Sequence, residues 1–97
     1  MDKPRQRLVE LLMAHPCTTG TYVRSHGAHL IIGRQEEGSD GQVDDTDRVR
    51  LTRLAQTQYG LSVKRHTGRW ERTPFSGTME EMVETIATLM QHLVAPY

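Results

Sequence analysis

Thr78 and Glu81 stand three residues apart at the head of an apolar series, Met79, Met82, Val83, Ile86, Leu89, Met90 and Leu93, which recurs at helical spacing as far as Pro96. A threonine hydroxyl can accept from the backbone N–H three residues on, while the glutamate reaches back to the threonine's own N–H, so the pair marks a helix start. Ala87 and Val94 widen the stripe further. A helix this apolar on one side must be covered, and a sheet within the same chain is the first element that could cover it. Within the stripe, Met82, Ile86, Leu89 and Leu93 fall at intervals of four, three and four, the seam of a helix pair, and methionines such as Met90 adapt readily to a partner's surface. Met82, Ile86, Leu89, Met90 and Leu93 are therefore candidates for a partner or dimer interface as well as for the core.

Upstream, the chain is punctuated. Asp2 can cap a first helix, Pro4 suits its first turn, and Leu8, Val9, Leu11 and Leu12 keep helical spacing up to His15, where Pro16 ends it. From Thr21 to Gly33 β-branched and aromatic residues flank His26-Gly27 and predict a hairpin. Residues 35–43, polar, acidic and glycine-containing, predict a mobile surface loop. Asp44, Asp45 and Asp47 then suit the positive end of a helix dipole, Leu51, Leu54, Ala55 and Tyr59 supply a stripe, and Gly60 a stop, which together predict a second helix with Arg50 and Arg53 facing outward. Leu61 to Arg65 alternates with period two and returns as Trp70 to Thr73, so a turn at Thr67-Gly68 would pair Lys64 with Glu71 and Arg65 with Trp70.

The expected fold is α+β, in the order α-ββ-α-ββ-α, with an antiparallel sheet of about four strands and three helices packed on it, in a single domain over 1–97. This element order is broadly similar to that of small bacterial secretion chaperones, which bind partner proteins as dimers. The likeness is one of order alone and assigns no residue.

Twelve basic and twelve acidic residues cancel in sum but not along the chain. Residues 35–47 carry six acids and no base, whereas residues 48–72 carry seven bases and one acid. Arginine forks match phosphate oxygens and an indole can stack on a base, so Arg50, Arg53, Lys64, Arg65, Arg69, Trp70 and Arg72 form a candidate surface for an anionic partner, nucleic acid first. The competing reading makes these arginines a solvated face neutralised by the acidic segment, with Trp70 in the core beside Val63 and Leu61.

Other function classes find little to build on. No nucleophile elbow, glycine-rich phosphate loop or metallopeptidase pair occurs, which predicts a protein that is not an enzyme and needs no cofactor. His15-x-Cys17 and His26-x-x-His29 have short intervals but offer one cysteine where structural zinc sites offer two or more, so no metal is expected. A single cysteine excludes an internal disulfide and suits a reducing, cytoplasmic setting. No apolar run approaches the roughly 20 residues that span a bilayer, so no membrane is expected. With only 36% hydrophobic residues the core should be thin, which favours homodimerisation or a protein partner held through residues 79–94 as the alternative function.

Overall fold

A computed structural model of the chain describes residues 3–37, 40–65 and 67–90. Helix α1 (Lys3–Met13) leads through a short 3-10 turn (Pro16–Thr18) into five consecutive strands, β1 (Tyr22–His26), β2 (His29–Glu37), β3 (Val43–Ala55), β4 (Gln58–Lys64) and β5 (Trp70–Gly77), and α2 (Met79–Leu89) follows. The strands form one sheet in the order β1-β2-β3-β4-β5, every neighbouring pair antiparallel. The fold is thus α+β, with two α-helices and five strands among the described residues rather than the three and about four expected.

The difference lies in residues 44–59, which are strand and turn instead of helix. Leu51 and Tyr59 are buried, but Leu54 and Ala55, which would complete a helical stripe, are exposed. The stronger signal is of period two. Val49 and Leu51 enter the core while Arg50 and Thr52 between and beside them do not, and alternation of that kind is satisfied only by a strand. Gln56-Thr57 closes the β3–β4 hairpin as a two-residue turn, since Ala55 pairs with Gln58. Neither residue is the glycine or asparagine that announces such turns, and Gly60, expected to stop a helix, sits inside β4.

The segment expected as a mobile loop is shortened at both ends by strand, with β2 continuing to Glu37 and β3 starting at Val43; residues 38–39 lie outside the described part. The β4–β5 connection runs from Arg65 to Arg69, with Gly68 at φ +87°, and pairs Lys64 with Trp70 and Val63 with Glu71. That is one residue away from the expected register. A one-residue slip exchanges the faces of a strand, so Trp70 lies on the face of Lys64, opposite to Val63 and Leu61.

Both helices cover one face. Leu8 and Leu12 of α1 and Met79, Met82, Val83, Ile86 and Met90 in and just after α2 meet Val23, Leu30, Ile32, Val49, Leu51, Tyr59 and Leu61 in a single buried cluster. The cap of α2 is as expected: the Thr78 side chain accepts from the Glu81 N–H at 3.2 Å and Glu81 accepts from the Thr78 N–H at 2.9 Å. At the far end of α1, the buried Thr18 hydroxyl donates to the Leu12 carbonyl at 2.5 Å and satisfies one of the acceptors a helix leaves over. No helix among the described residues is long and apolar enough to cross a membrane.

Candidate functional site

Among the described residues no helix lies on the other face of the sheet, and its composition follows from register. Arg24 of β1 faces Ile31 of β2, Ile31 faces Arg50 of β3, Arg50 faces Ser62 of β4, and Ser62 faces Arg72 of β5. Cross-strand partners share a face, so these five residues make one row across the whole sheet, with arginine at each end and in the middle. Strands lie about 4.8 Å apart, which places the arginine positions about 9.6 Å from one another. Ile31 is buried yet lies outside the helix-side cluster, an apolar centre with an arginine on either side in the row.

A second row runs alongside. Tyr22 faces Gly33, and Lys64 faces Trp70. The Arg50 guanidinium carbon lies 4.8 Å from the centre of the Trp70 ring and Lys64 Nζ lies 5.7 Å from it, so one indole serves two cations. Arg50 Nε is buried and has no acceptor among the described residues. Arg72 is exposed. Beyond it, Thr52, Leu54, Gly60, Ser62 and Ser76 enclose a recess of about 240 Å³ where the β4–β5 ladder bulges around Pro74.

Asp47 is the carboxylate that enters this group. It accepts from the Tyr22 hydroxyl at 2.5 Å and from Arg24 Nη2 at 2.6 Å, and Lys64 Nζ lies 3.9 Å away. The Arg24 hydrogen bond, with those of Tyr22 and the charge of Lys64 behind it, holds the Asp47 carboxyl below its ordinary range. Burial, then the bond to Asp47, pushes the Tyr22 phenol well above its own, so it remains a donor. Gly33 makes the arrangement fit. A β-carbon there would collide with the Thr46 carbonyl and the Tyr22 ring, so only glycine lets the phenol cross the strand. A step in register between Ile32 and Gly33 accompanies it. His29, at the side of Arg50, is held below the ordinary histidine range by burial and then by the arginine's charge, and its Nδ1 is 2.8 Å from Thr52 Oγ1.

Of the seven residues predicted from the sequence, Arg50, Lys64, Trp70 and Arg72 share this face. Arg65 does not: its Nε is 3.0 Å from Glu71, whose strand partner Val63 packs against the helix-side cluster. Arg53, opposite the buried Tyr59, donates to the Ala55 and Gln56 carbonyls at the β3–β4 turn. Arg69 is exposed in the β4–β5 loop. Arg24, Tyr22 and Asp47 join the face from outside the set read from the sequence, although Tyr22-x-Arg24 alternates with the buried Val23 and carries the necessary signal. As for the interface set on α2, Met82, Ile86 and Met90 are buried within this chain, Leu89 is 60% exposed, and Leu93 lies outside the described residues.

The acidic segment stands apart from the rows. β1 pairs with β2 no farther than Gly33, and β4 pairs with β3 no farther than Val49, so Arg34–Glu37 and Val43–Arg48 continue as a two-stranded ribbon. Glu36, Glu37, Asp40, Asp44 and Asp45 belong to this arm and Asp47 to its base. Among the described residues no three His, Cys, Asp or Glu side chains gather as metal ligands would. No family model, curated protein or solved structure matches the chain.

Proposed function

We propose that the chain is a non-catalytic binding module whose uncovered sheet face holds an anionic partner, nucleic acid first. The observation that carries this is the placement of Arg24, Arg50, Lys64 and Arg72 around Trp70 on one face, with Asp47 as the carboxylate ion-paired into the group and the rest of the acidic run displaced onto the arm. Four cations against Asp47, with Asp45 near enough for its charge to reach Tyr22, still leave a net positive surface, and guanidinium forks are matched to phosphate oxygens. The stripe on α2 favours a second mode less, because Met82, Ile86 and Met90 are already buried against the sheet and the described part of the helix leaves Leu89 to meet a partner.

Fluorescence anisotropy with a labelled oligonucleotide over a series of salt concentrations tests the proposal. If three or four phosphates are neutralised, the logarithm of affinity falls with the logarithm of salt at a slope of about −2 to −3. Arg50→Ala with Arg72→Ala flattens that slope by about 1.4 and weakens binding, whereas Arg65→Ala, on the other side of the sheet, changes neither. Binding that ignores salt, or that Arg65→Ala and the double variant affect equally, would refute the assignment.

A further inference from the structure

Building on the proposed function, we infer that the nucleic acid is single-stranded and lies with its bases toward the sheet, one base at Trp70 and a neighbouring one in the recess beside Arg72. Three features of the face point to this. The first is shape. A duplex is read by an element that enters a groove, a helix or a two-stranded ribbon. Here both helices lie on the opposite side of the sheet, and the ribbon that does project carries Glu36, Glu37, Asp40, Asp44 and Asp45, which phosphates repel. Arg50 lies half-buried mid-sheet, on a broad face that an unpaired strand can approach more closely than a duplex.

The second is the indole. Contacts to phosphate alone have no use for an aromatic ring, yet Trp70 sits half-buried among the cations with Arg50 and Lys64 over it. An aromatic side chain and a guanidinium plane on an open sheet are stacking surfaces, and stacking accepts any base because every base has a π face.

The third is the recess. At about 240 Å³ it is smaller than the roughly 300–1,000 Å³ pockets that enclose drug-sized ligands, and so suits a single ring system rather than a whole nucleotide. Leu54 gives it an apolar wall, Ser76 brings an exposed hydroxyl that can donate to or accept from a base edge, with Thr52, already bonded to His29, and the buried Ser62 behind it, and Arg72 stands at its border for the adjoining phosphate. Trp70 and Arg72 are two residues apart on β5, a separation of about 6.7 Å, so the stacking position and the recess belong to one track. The arm leaves the sheet at the end where Lys64 and Trp70 lie and the recess is farther from it, so the track from Trp70 past Arg72 to the recess runs along β5, away from the acids.

Trp70 is the chain's one tryptophan, which makes its emission a direct report from the site. The test uses the unmodified protein at low salt and four probes: a deoxy and a ribo single strand of about ten nucleotides, an abasic strand of the same phosphate number, and the matching duplex, which carries twice as many phosphates. Both base-bearing single strands should bind and quench the emission, while the duplex and the abasic strand bind at least about tenfold more weakly, the loss expected when stacking is removed. Trp70→Phe should retain most of the preference over the abasic strand. A duplex bound as tightly as the single strands, or an abasic strand bound equally well with no quenching, would overturn the single-strand inference and leave the anion-binding face standing. If none of the four probes binds, both fall.

Discussion

The two faces of the sheet are built from the same strands, whose positions alternate between them except where a bulge, as before Val49, shifts the register. In β3, Val49 and Leu51 point into the helices and are fully buried, while Arg50, lying between them, belongs to the arginine row. In β4, Leu61 is core and Ser62 faces Arg72. The comparison teaches that stability and recognition are divided by the pleat of the backbone: one set of alternate positions holds the molecule together, and the other can be chosen for what it meets outside.

That division can be broken most forcefully at Leu51. Leu51→Ala should lower unfolding free energy by about 3 kcal/mol in urea titration, because a fully buried leucine loses both its transfer term and the cavity it filled. A loss no greater than that from an exposed position would mean the helix-side cluster is not the structural core. Gly33→Ala comes next, at about 2 kcal/mol, since the new methyl group must displace the Tyr22 ring or the β3 backbone; it should weaken the Asp47 cluster too, visible as a perturbed tyrosine signal. Thr78→Ala removes the α2 cap and should cost about 1 kcal/mol.

Asp47 offers a smaller and pH-dependent effect. Its folded carboxyl titrates below the unfolded value of about 3.9, so its contribution is complete above about pH 4 and is lost as pH falls through the folded value. Asp47→Asn should therefore lose stability at neutral pH, converge on the parent protein in acid, and bind oligonucleotide more tightly, because Arg24 and Lys64 lose their carboxylate. Equal stability differences at neutral and acid pH would show that the ion pair contributes nothing. Smallest of all, Arg72→Ala should leave the denaturation midpoint almost unmoved, within about 0.5 kcal/mol, while its affinity for the single strand drops. A large stability loss there would make Arg72 a structural residue and blur the division between the faces.

Much of this could be read from residue types. The α2 cap and the stripe as far as Met90, a first helix ahead of Pro16, and the first hairpin all follow local rules, although that hairpin turns at Gly27-Ala28, one residue later than His26-Gly27, and the Asp2 cap, Leu93 and Val94 lie outside the described residues. Residues 44–59 did not yield, because Leu51, Leu54, Ala55 and Tyr59 match helical spacing while Val49 and Leu51 match strand spacing, and a short apolar set can satisfy both. The choice was made by partners far away in the chain: Ile32 on one side of Val49 and Val63 on the other. The basic surface was legible as a cluster in Arg50, Lys64, Trp70 and Arg72, but its outline was not. Membership depended on a register that Thr67-Gly68 suggested one residue wrongly, and on Arg24, which arrives from a strand two places away in the sheet.

The acidic arm has one more effect, on how separate molecules treat each other. A two-stranded ribbon that outruns its neighbours has two edges with which no further described strand pairs, and such edges are where the strands of another copy could add on. The acidic residues of that segment give it a negative charge that makes two such ribbons repel at neutral pH, so the feature that keeps phosphates away also guards against aggregation, and that guard weakens wherever acid or high salt silences the charge.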